Sequence, residues 1–245
     1  MKRLAVLLVG HSLVSSYISV FAQSPPGKSV DSVLAAYVNA VGGQSAVDSI
    51  TTREVRGSVH RGPKATYYWQ KPNKILLLSG KSKTGYDGGS GWEYSKKKKL
   101  KHLPLGAHLA LESNANPLRY VYLRSLYPGG ITLGPPETLD GKPMDVLVAP
   151  NNLGATKLYF DAQSHLLAQV EESGEASAYF KNTTEFMDYK KVDSVLFPFR
   201  IVHSTTAPDS RKEDFRISEV TNNVEIRAGV FGKPQGGSVT FGGKR

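Results

Sequence analysis

The chain predicts a mainly β protein with a few helices, of the α+β class, and three observations lead there. Residues 157–189 alternate in strand-like runs joined by tight polar turns, and strands joined so closely pair antiparallel, because a parallel return needs a long crossover. From Thr52 onward, short stretches of period-two alternation recur between clusters of Gly, Pro, Asn and Asp. Only residues 30–41 carry a clean helical stripe: Val30, Val33, Leu34, Tyr37, Val38 and Val41 recur at three-and-four spacing.

The run 157–189 is the most legible part. Tyr159 and Phe160 are strand formers, and Asp161 to Ser164 are turn formers whose side chains bond their own backbone. Beyond the turn, Leu166, Ala168 and Val170 are expected on one face, with Gln169 and Glu171 on the other. Ser173-Gly174 turns the chain again, and Ala176, Ala178 and Phe180 then alternate with polar neighbours. Such a meander buries one face and wets the other.

Taken in order, Met1-Lys2-Arg3, the apolar residues that follow and Ala22 with Val20 two before it have the pattern of a secretory signal peptide over 1–22. A membrane span fits less well, since the stretch is short and His11, Ser12, Ser15 and Ser16 interrupt it. Residues 23–28 read as a linker, 29–231 as one domain, and the Gly-rich 232–245 as a flexible tail. The formal net charge is +10, and export would remove two positive charges with Lys2 and Arg3. No cysteine occurs, so disulfides, thiolate chemistry and a lipid-bearing cysteine are excluded. A soluble periplasmic product is expected.

Ser29 is the expected N-cap of the first helix and Gly42-Gly43 its stop, followed by a short helical piece over 44–50. Strands are expected at 54–61, 66–70, 74–78 and on either side of the glycine turn at 87–91. Two short helices broken at 114–117 precede the second set of strands, at 131–133, 144–149, 185–191, 194–205 and 211–221. Pro198 within its run predicts an edge or a bulge.

Catalytic signatures are sparse. Gly80-Lys81-Ser82 mimics the end of a phosphate loop, but Ile75 stands where that loop needs glycine. His60, His102, His108, His165 and His203 have no metal-ligand spacing, and read as surface or strand histidines. Ser90 lacks the nucleophile elbow, and nothing sets Asp188 and Asp193 apart as an acid–base pair. No catalytic residue, metal or cofactor is expected, and no nucleic acid partner.

The order of the pieces resembles the LolA/LolB-like superfamily of periplasmic lipoprotein carriers, in its outer-membrane lipoprotein-sorting-like branch. The carrying residues are Gly42-Gly43, Gly57, Asp87-Gly88 with Gly91-Trp92, Leu158-Tyr159-Phe160-Asp161 with Leu166-Leu167, Asp188-Tyr189, Leu196-Phe197-Pro198, and residues 223–231. The resemblance implies an incomplete antiparallel β-barrel, or half-barrel, curved around an N-terminal helix and short mid-chain helices, with an apolar cavity for acyl chains. It carries over no residue role.

Alternation puts Tyr67 and Trp69 on one face of their strand, and Leu76 with Leu78 and Trp92 with Tyr94 form similar pairs. These six are the candidate lining of an apolar pocket, the alternative being a plain sheet core. Lys96, Lys97, Lys98 and Lys99 are candidates for docking on an anionic membrane surface or an envelope partner; the alternative is a solvated hairpin tip. The leading functional reading is a monomeric, non-enzymatic periplasmic protein shielding a lipid, a lipoprotein acyl chain or another long apolar ligand. Its rivals are an envelope structural or interaction module with a filled core and no ligand, and an enzyme whose site converges only in space.

Overall fold

The computed structural model describes residues 27–95, 99–103, 107–151, 154–174, 180–208, 210 and 212–234. The signal segment, most of the linker, Lys96 to Lys98, residues 175–179 and most of the tail lie outside the described residues.

The helical stripe becomes α1 (Val30–Ala40). It is entered through a capping box: the Ser32 amide donates to Ser29 Oγ at 3.1 Å, and the Ser29 amide donates to Ser32 Oγ at 2.9 Å. Gly42 ends it at φ +119°, and a Cβ there would lie 2.2 Å from the Ser194 carbonyl oxygen. Only glycine meets both the conformation and the approach. Beside it, the Leu196 amide donates to the Val41 carbonyl at 2.9 Å, tying the helix end to a distant strand.

After α2 (Gln44–Asp48) come β1 (Thr52–Val59), β2 (Lys64–Gln70), β3 (Lys74–Ser79), β4 (Ser82–Tyr86), β5 (Gly91–Ser95) and β6 (Lys99–His102). The mid-chain helices are α3 (Ala107–Ala115), a 3-10 helix (Pro117–Tyr122) and α4 (Leu123–Leu126), broken near residues 114–117 as expected. The second set is β7 (Thr132–Leu133), β8 (Glu137–Leu139), β9 (Lys142–Asn151), β10 (Gly154–Asp161), β11 (Leu167–Gly174), β12 (Asn182–Val192), β13 (Val195–Thr205) and β14 (Glu213–Asn222). All belong to one antiparallel sheet in the order β6-β5-β4-β3-β2-β1-β14-β13-β12-β11-β10-β9-β7, with β8 beside β9. The β1–β14 ladder joins the two meanders, and the sheet stays open rather than closing into a barrel.

One face of the sheet is covered by the helices. Val33, Tyr37 and Val41 pack there with Val55, Phe160, Phe197, Ile201, Phe215 and the mid-chain Leu118, Tyr120 and Leu123. The Tyr37 and Phe160 rings lie 5.1 Å apart. Of the predicted stripe, Leu34 and Val38 are only half-buried, because the helix turns its Val33–Tyr37–Val41 line inward. On the opposite, outer face a smaller cluster joins Leu76, Trp92 and Phe231. The Trp92 indole lies against Gly85, where a Cβ would sit 2.4 Å from the ring, and its N–H donates to the Phe231 carbonyl at 2.9 Å.

Two local expectations are refined by the ladders. Between β10 and β11 the register shifts at Tyr159/Phe160, leaving Ala168 as the extra residue of a bulge. Leu167 and Val170 therefore join the main core, whereas Ala168 packs with Met144, Val146 and Tyr159 on the outer face. Pro198 sits inside β13, but the ladder to β14 spans only residues 200–203, so at Pro198 the strand has β12 alone beside it. The missing N–H is accommodated at a local edge.

Tyr37→Ala should cost about 3–5 kcal/mol through lost burial and a cavity. Leu34→Asp should cost clearly less, since that side chain reaches water. Urea unfolding of both variants checks this; equal losses would place Leu34 as deep as Tyr37.

Candidate functional site

The six candidate pocket residues do not come together. Pairing sets Tyr67 opposite Leu77 and Trp69 opposite Ile75, all on the helix-covered face, with Tyr67 and Trp69 buried in the main core. Tyr68, Leu76 and Trp92 share the other face, as do Leu78, Lys83, Tyr94 and Leu100. Leu76, Leu78, Trp92 and Tyr94 therefore belong to the outer cluster under residues 226–231. Intra-strand alternation is visible in sequence; the phase between strands is set by turn lengths, and a one-residue change moves a whole strand to the other face.

Beneath the helices lies a charged group that sequence reasoning missed. Arg53, 1% exposed, spreads its guanidinium between the Trp69 and Phe197 rings, with centroids at 5.8 and 4.7 Å. Its Nε donates to Asn222 Oδ1 at 2.7 Å and its Nη1 to Asn116 Oδ1 at 2.9 Å. Asn222 in turn donates to Asp193 at 2.9 Å. Burial pulls the guanidinium down to about 9, opposed by the Asp193 charge, and it remains a cation at neutral pH.

At one end of the helix-covered face a cavity of about 490 Å³ remains open. Tyr67, Leu77, Val170, Leu111 and Tyr120 supply apolar wall; Asn114, Thr184, His203 and Arg119 supply polar groups; Glu172 and Glu213 are exposed at its mouth. The polar groups form a chain. The Asn114 amide donates to the Tyr67 hydroxyl at 3.0 Å and its Oδ1 faces His203 Nε2 at 3.0 Å. With Nε2 donating to that carbonyl, Nδ1 is left to accept from the Thr184 hydroxyl at 3.0 Å. This places a neutral imidazole, and burial holds His203 down at about 4. Burial likewise raises the Tyr67 hydroxyl to about 12, with the Asn114 bond opposing.

The roof is fixed by a second buried pair. Arg119 Nη1 donates to Glu112 Oε2 at 2.7 Å, and its guanidinium lies 5.0 Å from the Tyr120 ring centroid. Arg119 Nε and Trp69 Nε1 are buried without a hydrogen-bond partner among the described residues. The break at 114–117 was legible, but not that its asparagines would satisfy groups on the sheet. His203 is a strand histidine as read; its inward direction follows from its pairing with Thr184. Among the described residues no cluster of His, Cys, Asp or Glu is arranged to hold a metal, and no helix is long and apolar enough to cross a membrane. Lys96, Lys97 and Lys98 are outside the described residues, and Lys99 opens the edge strand β6.

No protein-family model and no curated protein matches the sequence. Solved structures do share its fold. A DUF1329 family protein from Desulfovibrio piger superposes with a TM-score of 0.57 at 11% identity, over 82% of this chain and 96% of that one. A LolA superfamily protein from Nitrosomonas europaea gives 0.54 at 12% identity, over 84% and 99%. A Vibrio parahaemolyticus domain described for outer membrane lipoprotein sorting gives 0.54 at 12%, over 82% and 97%. The chain has the fold of these LolA superfamily structures.

Removing Arg53 should leave the buried Asn116 amide oxygen short of a donor, whereas the half-buried Asn222 can turn to water. Arg53→Leu is expected to lower stability by roughly 1–3 kcal/mol through that group, read as a urea midpoint shift. His203 gives a pH test. Its folded pKa lies below its unfolded value of 6.5, so the unfolded chain takes up the proton first as pH falls. Its stabilising contribution is complete above about 6.5, declines towards about 4 and changes no further below that. The unfolding midpoint of His203→Gln should therefore fall less steeply than wild type across this window, and parallel curves would refute it.

Proposed function

We propose that the protein is an exported, periplasmic, non-enzymatic binding protein that shields the apolar part of a lipid or lipoprotein acyl chain in the cavity between the sheet and the mid-chain helices. The observation that carries this is the cavity's form. About 490 Å³ is within the range of small-molecule sites, and an apolar wall of Leu77, Leu111, Val170 and Tyr120 faces a prearranged polar row. That division suits an amphiphile: chain against the wall, uncharged hydrogen-bonding head near Asn114, Thr184 and His203. The signal-like residues 1–22 support export, and the lipoprotein-sorting description of the Vibrio structure supports the ligand class through a shared fold.

The same trough favours a second reading. Tyr37, Leu118, Tyr120 and Leu123 are packed and buried on the same face, which is the interior expected of an interaction module that carries nothing. The neutral probe 1,6-diphenylhexatriene separates the two. Wild type should bind it with a rise in fluorescence, and Leu111→Trp, which plugs the cavity, should weaken binding about tenfold, some 1.4 kcal/mol. A wild type that binds no probe, with a Leu111→Trp variant of raised stability, would favour the filled module.

A further inference from the structure

We infer that the end of the sheet where the cavity opens is a docking face for an anionic lipid bilayer, and that basic turns brought together by the topology, rather than one lysine run, form it. In the ladders Ser58 faces Lys64, Ala65 faces Ser79, Ser79 faces Ser82, Ser82 faces Ser95 and Ser95 faces Lys99. The β1–β2, β3–β4 and β5–β6 turns therefore stand side by side. The first two and their flanks carry Arg61, Lys64, Lys81 and Lys83, with no carboxylate in residues 60–64 or 79–83. Arg61, Lys64 and Lys81 are exposed, and none pairs with a carboxylate among the described residues. The third turn is Lys96, Lys97 and Lys98 in sequence; the inference rests on the other two.

The opposite end of the strands is mixed in sign. Asp87, Asp140, Asp161 and Asp193 lie in its turns together with Lys71, Lys74, Lys142 and Lys191, whereas residues 60–64 and 79–83 carry cations without any carboxylate. A corner bearing the exposed Arg61, Lys64 and Lys81 is attracted to an anionic surface, each of these cations contributing severalfold to the binding constant. Just behind the charged tips, Leu78, Tyr94 and Leu100 make a half-buried row on the outer face. Leucine and tyrosine beside lysine is a composition suited to the headgroup region.

The cavity mouth shares this end, because the His60 amide donates to the Asp214 carbonyl at 2.7 Å and Glu213 pairs with His203. Glu172 and Glu213 at the mouth would resist close approach of an anionic surface. Nearby, Lys181 is paired with Glu171 at 3.1 Å and Lys212 with Glu185 at 3.4 Å, so the β11–β14 side offers little net attraction. Contact is made by the β1–β6 corner, with the mouth turned towards the bilayer and held off it.

The test is co-sedimentation with phosphatidylcholine vesicles, pure or containing a third phosphatidylglycerol, at about 50 mM and about 500 mM salt. Wild type should bind only the anionic vesicles, and more weakly in high salt. R61E/K64E/K81E should lose about tenfold or more at low salt, with R61Q/K64Q/K81Q intermediate and still folded by circular dichroism. K74E/K142E/K191E makes the same change of net charge elsewhere and should lose less than about twofold. Equal losses in the two reversal variants, or a wild type that ignores anionic vesicles, would overturn the inference, as would binding to a polyanion such as heparin that alone responds to the tip changes. The inference does not need the cavity reading: Leu111→Trp should dock as wild type does, so failure of one leaves the other standing.

Discussion

A guanidinium buried in an apolar interior is costly unless its donors are met, and Arg53 is the group around which this structure is arranged. Asn222 meets it from β14, the neighbouring strand, and Asn116 from the turn between α3 and the 3-10 helix. Trp69 from β2 and Phe197 from β13 offer their ring faces. One side chain thus ties both meanders to the mid-chain helices, at the β1–β14 junction that makes a single sheet. Asp193, reached through Asn222, supplies a compensating charge.

The cavity follows from how the helices are held. Near Arg53 the cover is tight, with Tyr37, Leu118 and Leu123 almost wholly buried. Farther along the same face the cover is α3, which packs Ala115 and Leu111 against the core and adds the hydrogen bonds of Asn114 to the sheet. Amide bridges fix distance and orientation without filling volume, so space remains between Leu111 and Tyr120 above and Tyr67, Leu77 and Val170 below. Buried polar rows of this kind lose free energy if half-satisfied, which gives the roof one preferred seating.

On the outer face, charged pairs cover much of the sheet. Arg56 with Glu54 and Glu219, and Arg200 with Asp214, lace the exposed strands at 2.7 to 3.0 Å. Asp214 is held low chiefly by its bonds to Arg200. Such exposed pairs contribute little each, but they keep the strands between two apolar clusters polar: Leu76, Trp92 and Phe231 under residues 226–231, and Met144, Val146 and Tyr159 beside β8.

Much of this architecture was written locally. The Ser29 cap, the glycine stop of α1, the turn at Asp161, where the Gln163 and Ser164 amides donate to Oδ1 at 3.0 and 2.7 Å, and the antiparallel sense of the strands all depend on neighbours within a few residues. The face to which each strand turned its apolar residues was not local, and the six candidate pocket residues divide between two faces because register is set across turns. The bulge at Ala168 likewise reflects the partner strand. His203 reads as an ordinary strand histidine and Arg53 falls just before the expected strand at 54–61, since burial of a polar group is a property of what packs above it. The clustering of Arg61, Lys64 and Lys81 needed strand order, which links positions far apart in the chain. Sequence determined the elements and their sense, through short-range hydrogen bonding and periodicity; the tertiary structure alone decided which polar groups were buried, which faces met and where space was left, because those depend on contacts between residues that the chain itself keeps apart.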